Sequence, residues 1–188
     1  MIALLFLFLS ACSNIKTNQK NQASLAELAE VWSINGRISL TNEQENWYAK
    51  FNWQQKYDDF QISFTGPLGE TELQVSQTQK QIVLETPAGK KIGNDLEQLI
   101  YQETGWNFPI TSLKYWLQGQ SNPDLSAKIH YNDQKQIKEI IQAGWHIEYA
   151  KRMLIDDPSG KAVILPKKII AIGKNMKIKL IITAWQLE

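Results

Sequence analysis

A period of two constrains this chain more than any other feature. Trp32, Ile34, Gly36, Ile38 and Leu40 share one parity, opposite Ser33, Asn35, Arg37 and Ser39, which is the pattern of a strand with one buried and one wet face. After the polar segment Thr41 to Asn46 the pattern resumes, with Trp47, Ala49, Phe51 and Trp53 on one face and Lys50, Asn52 and Gln54 on the other. A third run, Phe60, Ile62 and Phe64, ends at Gly66-Pro67-Leu68-Gly69. Shorter runs around Leu73 and Val75, then Ile82 and Leu84, are closed by Pro87-Ala88-Gly89. Strands in succession joined by short turns make an antiparallel meander.

The middle of the chain changes period. Leu96, Leu99 and Ile100 fall at helical spacing behind two candidate N-caps, Asn94 and Asp95, with Gly105 as the stop. Pro109 opens a second helix with Ile110, Leu113, Trp116 and Leu117 on one face, ended at Gly119. Strands return near Ile129 and Tyr131, at Ile137 to Ile141, at Trp145, Ile147 and Tyr149, at Val163 to Leu165, at Ile169 to Ile172 and at Ile178 to Trp185. The expected fold is therefore mainly β with an α lid, an incomplete, half-open antiparallel barrel of about ten or eleven strands covered by short helices.

A curved sheet with one apolar face must cover that face, and short helices do so only in part. Trp47, Phe51, Trp53, Phe64, Trp106, Trp116 and Trp145 supply more bulk than a solidly packed barrel interior usually takes from aromatics. Any one of them is more often ordinary core than ligand contact, but as a set they favour an apolar cavity. The competing reading is a structural envelope protein with a packed barrel.

The chain's 188 residues suit one domain, and the formal net charge of +1 points to neither nucleic acid nor an acidic surface as partner. An enzyme finds no support: His130 and His146 lie on predicted strands without metal-ligand spacing, and no Gly-x-Ser-x-Gly or phosphate-binding loop occurs. Asp58-Asp59 and Asp156-Asp157 sit in turn contexts.

The N-terminus reports location. Ile2 to Leu9 is an eight-residue apolar run, of signal-core length and far short of the ~20 residues that span a bilayer. No Lys or Arg precedes it. Ser10 and Ala11 lead into Cys12, the only cysteine, and the stretch resembles the lipobox of bacterial lipoproteins. That resemblance implies that residues 1–11 are a lipoprotein signal peptide and that Cys12 carries acyl chains as the mature N-terminus. By the same sorting rules Ser13 points to the outer membrane. Residues 12–23 are too polar to bury a core and are expected to be a disordered tether, ahead of a single domain at 24–188. Ser24-Leu25-Ala26-Glu27 has capping-box spacing and predicts a short helix through Glu30.

Several further motifs occur together in one order: Gly66-Pro67-Leu68-Gly69-Glu70-Thr71-Glu72-Leu73, then Gly105-Trp106 with Pro109, Ser112-Leu113 and Trp116-Leu117-Gln118-Gly119, then Gly144-Trp145 with Tyr149, Leu165-Pro166 and the closing Lys179 to Trp185. Together they resemble the LolB family of outer-membrane lipoprotein receptors. Arg152 and Met153 stand where a further aromatic is expected. The resemblance implies a LolA/LolB-like half-barrel that accepts lipoproteins from a LolA-like periplasmic carrier, holds their acyl chains and inserts them into the inner leaflet of the outer membrane, which the domain serves from its periplasmic face. Trp53, Trp116 and Trp145 match the family's lipid-pocket positions; Phe51 and Phe64, of inward parity, are expected in the same cavity. Leu68 matches its membrane-inserting leucine. No cofactor is implied beyond the covalent lipid on Cys12, and a monomer is expected.

Overall fold

The computed structural model describes residues 24–25 and 29–188; the expected signal peptide and tether, with Cys12 between them, fall outside the described residues. Strand β1 is Ser24–Leu25, and a meander follows through β2 (Val31–Thr41), β3 (Asn46–Lys56), β4 (Asp59–Thr65), β5 (Thr71–Thr78), β6 (Gln81–Thr86) and β7 (Gly89–Gly93). Two helices, α1 (Leu96–Thr104) and α2 (Ile110–Leu117), lead to β8 (Ala127–Tyr131), β9 (Ile137–Gln142), β10 (Trp145–Asp156), β11 (Ala162–Ile172) and β12 (Lys177–Leu187). The strands form one sheet in the order β7-β6-β5-β4-β3-β2-β12-β11-β10-β9-β8, with β1 beside β11. β7 and β8 are its two unjoined edges, so the sheet is open.

Alternation sets the faces. Trp32, Ile34, Ile38 and Leu40 of β2 are buried, as are Ala49, Phe51 and Trp53 of β3, and they join inward residues of β4 to β6 and β9 to β12 and the apolar faces of both helices in one core. Gly36 has the same inward parity and is covered by the Phe51 ring; a Cβ there would stand 2.6 Å from that ring and 2.7 Å from the Ile181 carbonyl oxygen. In β12 a bulge between Ile182 and Ala184 shifts the parity by one, which turns Trp185 inward.

The turns β2–β3, β4–β5, β6–β7, β9–β10 and β11–β12 share one end of the sheet, here the upper end. The other turns, the start of β2 and the end of β12 share the lower end.

Local signals hold for the helices. Asp95 caps α1, its carboxylate accepting from the Gln98 N–H, and Gly105 closes it at φ +74°. Three features differ from the sequence expectation. Ser24 and Leu25 are extended and pair in parallel with Val163 and Ile164 where a helix start is predicted; residues 26–28 of that helix lie outside the described residues. Gly89–Gly93 is an edge strand, exposed on both faces and so without alternation. The two runs around Pro166 are one strand: the pairing of β11 with β12 starts at Lys168, β1 takes over at Ile164, and Pro166, which has no N–H to give, sits between.

Candidate functional site

At the upper end, a cavity of about 360 Å³ lies between α1 and the inner face of β2 to β6. Its apolar wall is Ile38, Leu40, Trp47, Phe64, Leu73, Ile100, Trp106 and Phe108. The Phe64 ring packs edge-on against Trp47 at 5.6 Å and Phe108 at 6.5 Å. The rim is polar. Trp47 Nε1 donates to Glu72 at 2.7 Å, so the indole keeps its apolar body on the cavity and its N–H satisfied. Glu103, on the last turn of α1, accepts from Lys91 of β7 and from Thr86 Oγ1. The Lys91 bond holds the Glu103 carboxyl below the usual carboxylate range.

The two helices are fastened unequally. At the C-cap of α2 the Gln118 side chain accepts from the Ala29 N–H at 2.7 Å and donates back to its carbonyl at 3.2 Å. Trp116 Nε1 donates to Gln142 Oε1 at 2.9 Å, and the Tyr149 hydroxyl donates to the Trp116 carbonyl at 2.9 Å. Burial pushes the Tyr149 phenol far up, and Arg152, in the position where an aromatic was expected, covers its ring at 5.4 Å. α1 is tied to the sheet through Glu103, at the open β6–β7 edge.

The residues expected to bind acyl chains do not surround one cavity. Phe64 is in the wall just described. Phe51 lies over Gly36 in packed core. Trp53 lines a separate hollow of about 370 Å³ with Gln55, Phe60 and Lys114, its Nε1 donating to Gln55 at 3.0 Å. Trp116 is 0% exposed. Trp145, half-buried 6.1 Å from the Trp116 ring, faces a third hollow shared with Trp106 and Met176. Trp47 and Trp106 belong to the aromatic set that the sequence singles out, without being assigned to the pocket. Leu73 and Phe108 were not assigned to it: Leu73 was legible as a strand residue and as the end of the Gly66–Leu73 motif, and Phe108 sits in a linker with no period to expose it.

Leu68 is 94% exposed. It occupies the third position of a turn closed by Gly69 N–H to the Gly66 carbonyl at 3.1 Å, with Pro67 fixing the second. The turn joins β4 to β5, the strands that bring Phe64 and Leu73 to the cavity wall.

Asp157 accepts from the Ser159 hydroxyl and from the backbone of Ser159 and Lys161, closing its turn and lowering its pKa. On the outer face His146 is bonded to Glu139 at 2.5 Å and His130 stands 4.0 Å from it. No cluster among the described residues has the make-up of a metal site.

The family model for outer membrane lipoprotein LolB matches residues 30–185, nearly the whole described domain. The chain belongs to the LolB family. Among its relatives, outer-membrane lipoprotein LolB of Cellvibrio japonicus is 31% identical over 90% of this chain and 83% of its own length. The LolB of Tolumonas auensis is 28% identical over 96% of this chain and 92% of its own. The open sheet recurs in a LolA superfamily protein of Nitrosomonas europaea, at a TM-score of 0.54 and 10% identity, covering 87% of this chain and 89% of that one. Membership of the LolB family makes this chain an outer-membrane lipoprotein, the description that these relatives carry.

Proposed function

We propose that this LolB-family chain accepts lipoproteins from a LolA-like periplasmic carrier, shelters their acyl chains under α1 and inserts them into the inner leaflet of the outer membrane. The observation that carries this reading is the continuity between cavity and turn: β4 and β5 form part of an apolar wall and run directly into an exposed leucine. In this reading residues 1–11 are removed, Cys12 is lipidated, residues 12–23 tether the domain, and the domain works as a monomer without a cofactor.

The energetics favour such a site. Each buried methylene is worth ~0.8 kcal/mol, so one long acyl chain carries on the order of 10 kcal/mol that a carrier must nearly match. Apolar contact is non-directional, so a wall of Leu, Ile and aromatic side chains accepts the chains of any lipoprotein. Release needs a lower affinity beside the bilayer, and α1, attached at the sheet edge, is the wall that moves.

The test is transfer of a radiolabelled lipoprotein from purified carrier to the purified domain and then to liposomes. Transfer supports the reading. A domain that takes up neither lipoprotein nor the apolar probe bis-ANS is a packed envelope lipoprotein instead.

A further inference from the structure

The outer face of the sheet carries a row of cations. Lys50 on β3 stands opposite Arg37 on β2, Arg37 opposite Ile181 on β12, Ile181 opposite Lys168 on β11, and Lys168 opposite Lys151 on β10. Toward the upper end, Lys179 and Lys177 of β12 extend it. Among the described residues the ion pairs use Lys90, Lys91, His130 and His146, and none of these six. The carboxylates Glu139 and Glu148 stand at the β9–β10 margin of the face, where His146 engages Glu139. With a net charge of +1 for the whole chain, this is segregation of charge and not general basicity. Like charges directly opposite destabilise a sheet, as Lys50 with Arg37 and Lys168 with Lys151 do, unless an outside layer of anions answers them.

The placement of the chain's entry bears on what that layer is. Ser24 and Leu25 enter beside Val163 and Ile164, and Ala29 is fixed to Gln118, at the lower end. The Leu68 turn is at the upper end. The eleven residues of β2 alone separate the ends by about 33 Å. From Cys12 to Ser24 the chain reaches at most about 43 Å in any conformation. A domain standing upright on Leu68 would use about three-quarters of that fully extended reach to keep Cys12 in the same leaflet. A domain lying along its sheet brings both ends to the bilayer with chain to spare.

Resting on the membrane-insertion reading above, we infer that the cationic outer face of β3, β2, β12, β11 and β10 lies on an anionic phospholipid surface. This holds the domain lengthwise, with the Leu68 turn and the lipidated Cys12 in one leaflet. Attraction of this kind acts within a Debye length of about 8 to 10 Å and is weakened by salt.

The experiment uses the mature chain with Cys12→Ala, made without lipid, floated with vesicles of phosphatidylcholine alone or mixed with phosphatidylglycerol. Binding to the mixed vesicles should exceed binding to neutral ones and disappear in high salt. The triple variant Arg37→Gln, Lys50→Gln, Lys168→Gln should lose on the order of tenfold or more of that binding, with circular dichroism and bis-ANS uptake unchanged. Equal binding of parent and variant, or equal binding of the parent to neutral and anionic vesicles, overturns the inference. So does a variant that keeps vesicle binding but no longer accepts cargo from the carrier, because the face then docks a protein. Insertion of cargo by the parent, blocked by Leu68→Glu, is scored in the same series. If that insertion stands while the charge dependence is missing, the functional reading survives and only this face is lost; if the parent inserts nothing, the functional reading itself falls.

Discussion

The Gln142 side chain on β9 accepts a hydrogen bond from Trp116 Nε1 on α2, at 2.9 Å and fully out of water. The same oxygen accepts from the Asn122 N–H, while the Gln142 amide nitrogen donates to the carbonyls of Asn122 and Leu125, all at 2.9 Å. One side chain thus fixes the second helix and the chain leaving it. Each buried group left without its partner costs roughly 1 to 3 kcal/mol, so Gln142→Ala should destabilise by about 3 kcal/mol or more. Urea unfolding measures it. A midpoint unchanged from the parent would mean that water or a shifted side chain satisfies the four groups.

Two tryptophans should separate core from cavity. Trp116 is enclosed on all sides, and cutting it to alanine should cost ~3 to 5 kcal/mol. Trp106 borders the cavity and the third hollow, so it has already given up part of its packing. Trp106→Ala should destabilise less than Trp116→Ala while weakening bis-ANS or acyl-chain binding per folded molecule. Unfolding curves and probe titrations on both variants decide the matter. The reverse order would move the binding site to Trp116.

Much of this architecture was legible because one face of each central strand is buried. Strict parity then shows in Trp32 to Leu40, and the helix stops at Gly105 and Gly119 follow from their positive φ. What escaped lacks that asymmetry. β7 buries neither face, so Lys90 and Lys91 look like turn residues. Ser24 and Leu25 carry a local helix signal that pairing with β11 overrides. Nothing in the sequence around Gln142 distinguishes a buried amide with four partners from a solvated one. Parity placed Phe51 and Trp53 inward, as observed, yet parity cannot tell an inward residue that meets a neighbour from one that meets a void.

The Lys91 bond to Glu103 should make the attachment of α1 depend on pH. Glu103 is held below the ordinary carboxylate value of 4.5. A carboxylate with a depressed folded-state pKa contributes its stabilisation above the ordinary value and loses it as pH falls through the lowered one. The entry rate of bis-ANS should therefore be flat at neutral pH and rise only below 4.5. In Lys91→Ala the rate should be raised already at neutral pH and the acid step should shrink. Superimposable profiles for parent and variant would show that this pair does not hold the wall.

Leu68 should act on the membrane and not on the fold. Its side chain is 94% exposed, and the turn beneath it is closed by its own backbone bonds, Gly66 N–H to the Glu70 carbonyl at 2.9 Å and Gly69 N–H to the Gly66 carbonyl at 3.1 Å. Removing the side chain therefore removes no internal contact of weight. One leucine buried in lipid is worth roughly 1.5 to 3 kcal/mol, too little to anchor a protein but enough to bias where a tethered domain meets the leaflet. A carboxylate at the same point reverses that bias, because the acyl region does not solvate it. Leu68→Glu should leave the urea midpoint within about 0.5 kcal/mol of the parent, leave acceptance of cargo from the carrier intact, and block delivery into liposomes. Acceptance and delivery are measured in one transfer experiment, with cargo counted on the domain and in the floated vesicles. Cargo that still reaches the vesicles at the parent's rate would show that the turn is no part of insertion; cargo that never loads would place Leu68 at the carrier interface instead.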